Sequence, residues 1–463
     1  MKKIFTLAIS FATAFTSFTQ SLGYKDLGVL FSGNGHNGSA RFTAMSGAFG
    51  AIGGDISAVN INPAGIAVFN NSQFSATFNS RNTAIAARYY GTDKTIKEDY
   101  INFSNAGAVL VFNSAYNSGW TKFAFGVNYR IKKDFNDSFL ASGNSEIPTF
   151  RDFPLDQNDP AIDYNISDQQ VFSNFYDGEI TEFNFAFSAV HEEKLYVGAS
   201  LNTYSLDFIQ RSNLTEFNQD GNGNTLDANI YQQNNTSGAG LSLSTGFIYK
   251  LNQYFRFGLS YQTPTWFREI LEETNILDNE GYFGDTEISV SEDPNSVYSN
   301  TAGNYFPINS FRYKLKTPSK ITASAAVVFG DKGLISIDYT NKNYDNIKLS
   351  NALDFQDENQ FFQNNLRNTH ALNLGTEWRM DRFSIRGGYL YEQSPDKNAI
   401  DSDNLEGYSF GGGYNFGNFK IDFAYSNNNR TGLYPFYSQF NEINAAGLTI
   451  DNQTFTATLS INL

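Results

Sequence analysis

The sequence predicts an all-β membrane protein: an antiparallel transmembrane β-barrel of about fourteen strands, with a small N-terminal plug of short helices and loops. Three observations carry that expectation. From Ser72 onward, Phe and Tyr alternate with polar residues at the period of two that a strand requires. The connections between these segments alternate short and long, as in an outer-membrane barrel with short turns at one end and long loops at the other. Finally, no later stretch reaches the ~18 apolar residues of a spanning helix, so a membrane position demands a closed barrel that pairs every backbone group.

The first residues read as a secretory signal. Lys2 and Lys3 form a basic start, and Ile4 to Phe18 is apolar but too short to span a membrane. This divides the chain into a signal peptide over 1–20, a plug over 21–71 and a barrel over 72–463. The aromatic content is 16%, with 44 Phe and 27 Tyr spread along the strands rather than clustered. A net charge of −15 opposes nucleic-acid binding, because phosphates would be repelled. The chain has no cysteine, which excludes disulfides, thiolate metal sites and cysteine nucleophiles.

Residues 38–69 are unlike the remainder. Small residues dominate, including Gly47, Ala48, Gly50, Ala51, Gly53 and Gly54. Two short helical turns are expected. Asp55 stands at the N-cap of the second, and Pro63 ends it by pushing Asn62 out of the α region. The run closes on Asn62, Pro63, Ala64 and Gly65 directly before the first strand. A Gly/Ala-rich segment with an aspartate, then N-x-N-P-A-G, then alternating strands, resembles the FadL/TodX/OmpP1 family of outer-membrane channels for hydrophobic molecules. The resemblance implies that this segment is the hatch inside a fourteen-stranded barrel, with Asn62, Pro63 and Ala64 its most recognisable motif.

The strands follow in order. Phe74, Ala76 and Phe78 open the first; Thr83, Ile85, Ala87 and Tyr89 continue it with reversed parity, which suggests a bulge or bend. The second lies near residues 101–112, and the third carries Phe123, Phe125, Val127 and Tyr129. The fourth to seventh are marked by Phe183, Leu195, Leu241 and Phe255 and their alternates. The eighth runs from about Phe311 to Phe329 through Pro318. Segments beginning near Ile335, Leu372, Phe383, Tyr408, Phe419 and Phe455 complete the set. Short turns such as 191–193, 251–253, 331–332 and 417–418 are expected to alternate with longer connections near 133–176, 211–237, 269–310 and 427–452. An even strand number places both chain ends at the short-turn, periplasmic end. The final strand, with Leu459, Ile461 and Leu463, resembles the signal read by the barrel-assembly machinery, although Phe is the more usual last residue.

Several motifs carry little chemistry. Gly33 to Gly38 spells GxGxxG, but no strand precedes it and no βαβ unit surrounds it. Asp220 to Asn224 with Asp227 looks like the start of a calcium loop, yet the glycine and glutamate such a loop needs are replaced by Thr225 and Tyr231. His36, His191 and His370 fall in three separate regions, and no G-x-S-x-G elbow occurs. No catalytic residue, metal or cofactor is expected.

The inward faces offer the stronger lead. If the aromatic rows face lipid, their alternates face the lumen, where a charge avoids the ~2–4 kcal/mol cost of the mid-membrane lipid face. This assignment makes Arg88, Arg130, Arg256, Lys316 and Arg386 candidate cations for a ligand carboxylate, beside Arg312, Lys314, Lys320, Lys420, Asp338, Glu377 and Asp422. The alternative is a network of ion pairs bracing barrel against plug. Aromatics predicted in loops, such as Phe150, Phe153, Phe172, Phe175, Tyr282, Phe283, Phe355, Phe361, Phe362, Tyr434, Phe436 and Phe440, would form an external apolar groove.

The resemblance implies passive uptake of hydrophobic molecules across the outer membrane of a Gram-negative-type bacterium. Long-chain fatty acids are the family's best-known cargo, and aromatic hydrocarbons another. Expected partners are that ligand, outer-membrane lipids, the assembly machinery during biogenesis and, in an alternative role as a subunit of a secretion or assembly complex, other outer-membrane proteins. A hydrolase is the third reading, without a supporting constellation.

Overall fold

The structure, a computed structural model, describes residues 21–115, 119–151, 160–278, 288–289, 309–350, 355–437 and 440–463. The signal expected over 1–20 lies outside these, as do Phe153, Tyr282 and Phe283 among the loop aromatics.

Fourteen antiparallel strands close into one barrel. They are β1 (Gln73–Tyr89), β2 (Thr92–Asn113), β3 (Trp120–Asp134, continued by Asp137–Gly143), β4 (Ile166–His191), β5 (Leu195–Gln219) and β6 (Thr225–Lys250). Next come β7 (Phe255–Gln262 and Trp266–Asp278), β8 (Asn309–Lys316 and Lys320–Val328) and β9 (Gly333–Asn343, with Lys348–Ser350). The circuit ends with β10 (Asn368–Met380), β11 (Phe383–Glu392), β12 (Leu405–Asn415), β13 (Phe419–Tyr434) and β14 (Ala446–Asn462). Each strand pairs with the next, and β14 pairs with β1 from Gln73↔Asn462 to Arg88↔Gly447, so no edge is left at the seam.

Alternation decides which way each side chain faces. On β4, Phe183, Phe185 and Phe187 are exposed outward while Asn184 is buried inward. The inward asparagines hydrogen-bond across the strands: Asn105 donates to Asn128 (2.8 Å), Asn128 to Asn184 (3.1 Å) and Asn184 to Asn202 (2.8 Å). Apolar outside and polar inside is the inverse of a soluble barrel and suits a lipid surround.

Several expectations change. First, β1 keeps one parity throughout: Ser75, Thr77 and Asn79, then Thr83, Ile85, Ala87 and Tyr89, all face inward. The irregularity lies instead in β2, where Ser104 is the extra residue as the register passes from Thr77↔Asn105 to Phe78↔Phe103. The inward face turns apolar because Tyr89 packs there against Phe436. Arg88 is therefore exposed on the outer face and is not a lumen cation.

Second, Thr317, Pro318 and Ser319 interrupt β8 and reverse its parity. Lys316, with Arg312 and Lys314, is exposed outward, while Tyr313 and Leu315 are buried; only Lys320, beyond the break, lines the lumen. Third, residues 211–237 are not a loop. β5 and β6 stay paired to Gln219↔Thr225, and the connection is the tight turn at 220–224. β1 and β2 likewise meet in a turn at Tyr90 and Gly91, with φ of 40° and 83°. Fourth, the plug segment begins with an unanticipated helix, α1 (Tyr24–Ser32), followed by α2 (Ala40–Ala44) and two 3-10 turns, Ile56–Asn60 and Pro63–Val68.

Leu27 and Phe31 of α1 are buried among Phe135, Phe208 and Phe267 in the half of the lumen nearer the long connections. There the backbone of Ser21 hydrogen-bonds Gln232 and that of Leu22 hydrogen-bonds Gln210. Leu463 lies at the short-turn end, where its N–H bonds Ser72 O, and Ser21 lies near the long connections. Burial of the apolar side of α1 draws the segment up through the barrel. A helix over the β9–β10 connection, α3 (Gln356–Asn365), adds Phe362 to the same cluster. Most of the described loop aromatics thus turn inward rather than forming an external groove: Phe150, Phe172, Phe355, Phe362, Tyr434 and Phe436 are all buried, with the Phe172 and Phe436 rings stacked at 4.5 Å, while Phe175 is exposed.

Candidate functional site

The lower lumen is filled by small residues held by side-chain caps. Asp55 caps Ile56–Asn60 by accepting from the Ser57 N–H (2.9 Å), and Ser39 Oγ donates to the same carboxylate at 2.7 Å. Burial pushes the Asp55 carboxyl above its usual range, against the opposing pull of Arg41 and the Ser39 hydroxyl. Asn62 caps the next turn through the Ala64 N–H (3.1 Å), and Pro63 stands at its start, where a missing N–H costs nothing. The Asn62 amide also ties the plug together and to the wall, donating to Gly50 O (2.8 Å) and to Phe247 O on β6 (2.9 Å). Gly65 lies against Gly53, which has a φ of 56° and no room for a side chain, since a Cβ there would lie 2.6 Å from Gly65 O.

The wall answers with glycines of its own. A Cβ on Gly198 of β5 would lie 2.5 Å from Ala64 N, and one on Gly246 of β6 would lie 2.4 Å from Asn62 Oδ1. On β7, a Cβ at Gly258 would lie 2.2 Å from Gly50 O. These inward glycines let backbone meet backbone, and they are the feature that sequence reasoning misses. Their signal is glycine at lumen-facing strand positions opposite a small-residue segment. We expect Gly258→Ala to lower barrel stability by roughly 1–3 kcal/mol, the cost of overpacking a filled site. Thermal unfolding in detergent checks this, and an unchanged midpoint would mean the plug yields freely.

An ion-pair latch lies beneath. Glu377 on β10 receives Arg41 of α2 (2.7 Å), Arg386 of β11 (2.7 Å) and Arg379 (2.5 Å), and Arg386 also meets Asp422 on β13 (2.6 Å). Arg386 is thus committed to bracing. With Arg256, whose Nη1 lies 3.5 Å from Ile52 O, it lines a vestibule of about 660 Å3 below the plug.

Above the plug is a smaller cavity, about 70 Å3, lined by Arg130, Lys132, Glu182, Lys320, Lys342 and Glu392 together with Asn34 and His36. Arg130 is paired through Nη2 with Glu182 (2.6 Å), which also accepts from Tyr204 (2.9 Å). Glu392 is held by Asn34 (2.9 Å) and His36 (3.2 Å). Glu182 is thereby engaged at both oxygens, and Glu392 through Oε1 with its Oε2 facing His36, while the three lysines take lesser partners. Lys342 donates to Ser32 O and to Asn34 Oδ1 (3.1 Å), and Lys320 reaches Asn60 O only at 3.5 Å. Lys132 lies over the Tyr204 ring at 5.2 Å. Tyr204 and Tyr344, the latter beneath Lys342 Nζ at 4.9 Å, belong to the apolar cluster that contains α1. Four cations face two carboxylates at the junction of a polar cavity and an apolar vault.

Gly35 threads past this site so closely that a Cβ would lie 2.2 Å from Lys132 O, which accounts for the GxGxxG stretch sterically. The calcium-like loop is a closed turn: the Asp220 carboxylate accepts from Asn224 Nδ2 (2.7 Å) and the Asn222 N–H (2.7 Å), and these bonds hold its carboxyl down at about 2. Among the described residues, no group of His, Asp or Glu is arranged to hold a metal.

One part of the wall is unzipped. The β2–β3 ladder stops at Asn105↔Arg130; beyond it β2 pairs only with β1, and β3 only with β4. Among the described residues, side-chain bonds span the gap: Ser138 of β3 donates to Glu98 of β2 (2.6 Å), and Arg81 of β1 reaches past it to Asp134 (2.8 Å) and Asp137 (3.4 Å).

The sequence model of the outer membrane protein transport protein family (OMPP1/FadL/TodX) matches residues 31–433. No curated protein matches the chain. Among solved structures, a Pseudomonas aeruginosa FadL homologue is similar at a TM-score of 0.59 and 14% identity, over 93% of this chain and 100% of that one. The Pseudomonas putida toluene transporter TodX aligns at a TM-score of 0.57 and 15% identity, over 92% and 99%. The monoaromatic hydrocarbon channel CymD aligns at 0.52 and 14%, over 93% and 98%. At these identities the likeness is one of fold.

Proposed function

Because this chain belongs to the outer membrane protein transport protein (OMPP1/FadL/TodX) family, we propose that it admits long-chain fatty acids across the outer membrane, with the long connections facing outward. The observation that carries the reading is the set Lys132, Lys320 and Lys342, without carboxylate hydrogen bonds, directly below an apolar vault. Buried cations without a carboxylate hydrogen bond are costly, and an incoming carboxylate offsets that cost.

A cavity of about 70 Å3 holds a headgroup and not an acyl chain. The chain would take the space now filled by Leu27 and Phe31, so ligand entry displaces α1. Exit sideways, between the unpaired edges of β2 and β3, needs only side-chain bonds to part, whereas exit downward requires the plug to leave its glycine seats. Asp55, Asn62, Pro63, Ala64 and Gly65 thereby act in holding the plug, and Arg130 in positioning the pocket through Glu182.

The test is to purify the protein gently from outer membranes and identify its contents by mass spectrometry, then titrate the emptied barrel with oleate and with toluene. Retained fatty acid and preferential oleate binding are expected. Binding of toluene alone would move the cargo to neutral aromatics, and an empty barrel with a stoichiometric protein partner would make it a complex subunit.

A further inference from the structure

The outer wall carries a charged surface that the transport path does not use. On β7, β8 and β9, Arg268, Lys314, Lys316 and Lys348 are exposed on the outer face. The ladder makes them neighbours: Lys316 lies directly across from Lys348 on one side and from Trp266 on the other, and Arg268 follows Trp266 by two residues. Among the described residues, none of the four makes an ion pair. Like charges directly opposed across a ladder repel, so the arrangement is unfavourable unless an anion sits between them. It is the more conspicuous in a chain of net charge −15.

The depth of the patch identifies the anion. On β7 the outward residues are apolar from Phe255 through Tyr261, and Trp266 is exposed. From Phe255 to Trp266 is twelve residues, close to the roughly nine to eleven with which a tilted strand crosses the hydrocarbon, and aromatic residues mark its border. The cations begin immediately beyond, at the level of lipid headgroups. Lys and Arg at such a level fit phosphate oxygens.

We propose that this patch binds the phosphate groups of a phosphorylated glycolipid of the outer leaflet, of the lipid A type. The proposal rests on the outward orientation of the long connections adopted above, and not on the identity of the cargo. The patch also lies outside the point where Pro264 and Pro318, neither with an N–H to donate, interrupt β7 and β8. A lipid held there would bridge three strands where their own ladder is weakest.

The test uses the full barrel in detergent, titrated with bis-phosphorylated lipid A, with the same lipid after removal of its phosphates, and with inorganic phosphate, and read by native mass spectrometry. The phosphorylated lipid is expected to bind about tenfold or more tightly than its dephosphorylated form, and a K314Q/K316Q/K348Q variant to lose that preference. Equal binding of the two lipids, or an unaltered preference in the variant, overturns the proposal, and saturation by inorganic phosphate alone would do so too. An unchanged thermal unfolding midpoint in detergent shows that the variant is folded. A Ser350→Cys variant, unique in a chain without cysteine, should react with a membrane-impermeant maleimide on intact cells. Reaction only after lysis would overturn the orientation together with the lipid site, whereas lost lipid preference with normal labelling would overturn the lipid site alone.

Discussion

Replacing Lys320 and Lys342 together by methionine is expected to weaken oleate binding about a hundredfold or more. Each lysine offers the carboxylate one charge-assisted hydrogen bond, worth about 1.5–3 kcal/mol, and every ~1.4 kcal/mol is a factor of ten. Methionine keeps an unbranched apolar side chain, so the vault above is preserved. Methyl oleate, which has the same chain and no charge, should bind the variant and the parent alike. The barrel should melt no lower than before, since two buried cations without carboxylate hydrogen bonds have been removed. Equal losses for oleate and its methyl ester would show that the lysines shape the cavity and do not hold a headgroup, and the fatty-acid reading would fall with them.

Removing Glu377 should release the plug. This carboxylate is 1% exposed and serves Arg41, Arg379 and Arg386 at once. Glu377→Ala leaves the Arg41 guanidinium without its anion, while Arg386 keeps Asp422 and Arg379 is exposed to solvent; breaking a buried pair in this way typically costs ~3–5 kcal/mol. Because Arg41 is the plug's member of the set, much of that loss appears as weakened docking of α2, and raised ion conductance in planar bilayers is the expected result. Glu377→Gln, which keeps hydrogen-bond acceptance, should raise it less. A lock provides the control. Ser46 Oγ of the plug lies 2.8 Å from Ser409 Oγ on β12, so a S46C/S409C pair can form a disulfide across the junction. Oxidised, the pair should return the Glu377→Ala channel to low conductance, and reduction should reopen it. Conductance indifferent to both Glu377 and the disulfide would mean that the plug is not what closes the barrel.

Much of this architecture is legible in the chain because a barrel wall is written in local alternation. Phe183, Phe185 and Phe187 against Asn184, or Phe255, Phe257 and Leu259 against Arg256, need no distant partner to reveal which side is wet. The plug's caps are equally local, Asp55 and Asn62 each bonding an N–H two residues on. Alternation misleads where the lumen is itself apolar. Around Tyr89 it is the inward face that is apolar, while the outward face carries Arg88 opposite Asp93, so the pattern assigns Arg88 to the wrong side. At Pro318 a short irregular stretch changes the parity, and Lys316 follows it outward while Lys320 stays in. The same ambiguity makes residues 211–237 look like a loop, since polar inward residues such as Gln210, Ser212 and Glu216 mimic solvent-facing ones.

A plugged, closed barrel of about fourteen strands follows from the order of residues alone, because the period of two, the turn lengths and the capping residues all act over a few positions. That Arg386 braces while Lys132, Lys320 and Lys342 face an open pocket does not follow from it. The relationships among β3, β8, β9, β10 and β11 depend on ladder register and on the path of α1 through the lumen. Whether a buried cation is spent on a neighbour or left for a ligand is a matter of which carboxylate stands close enough to accept from it, and residues hundreds of positions apart settle that.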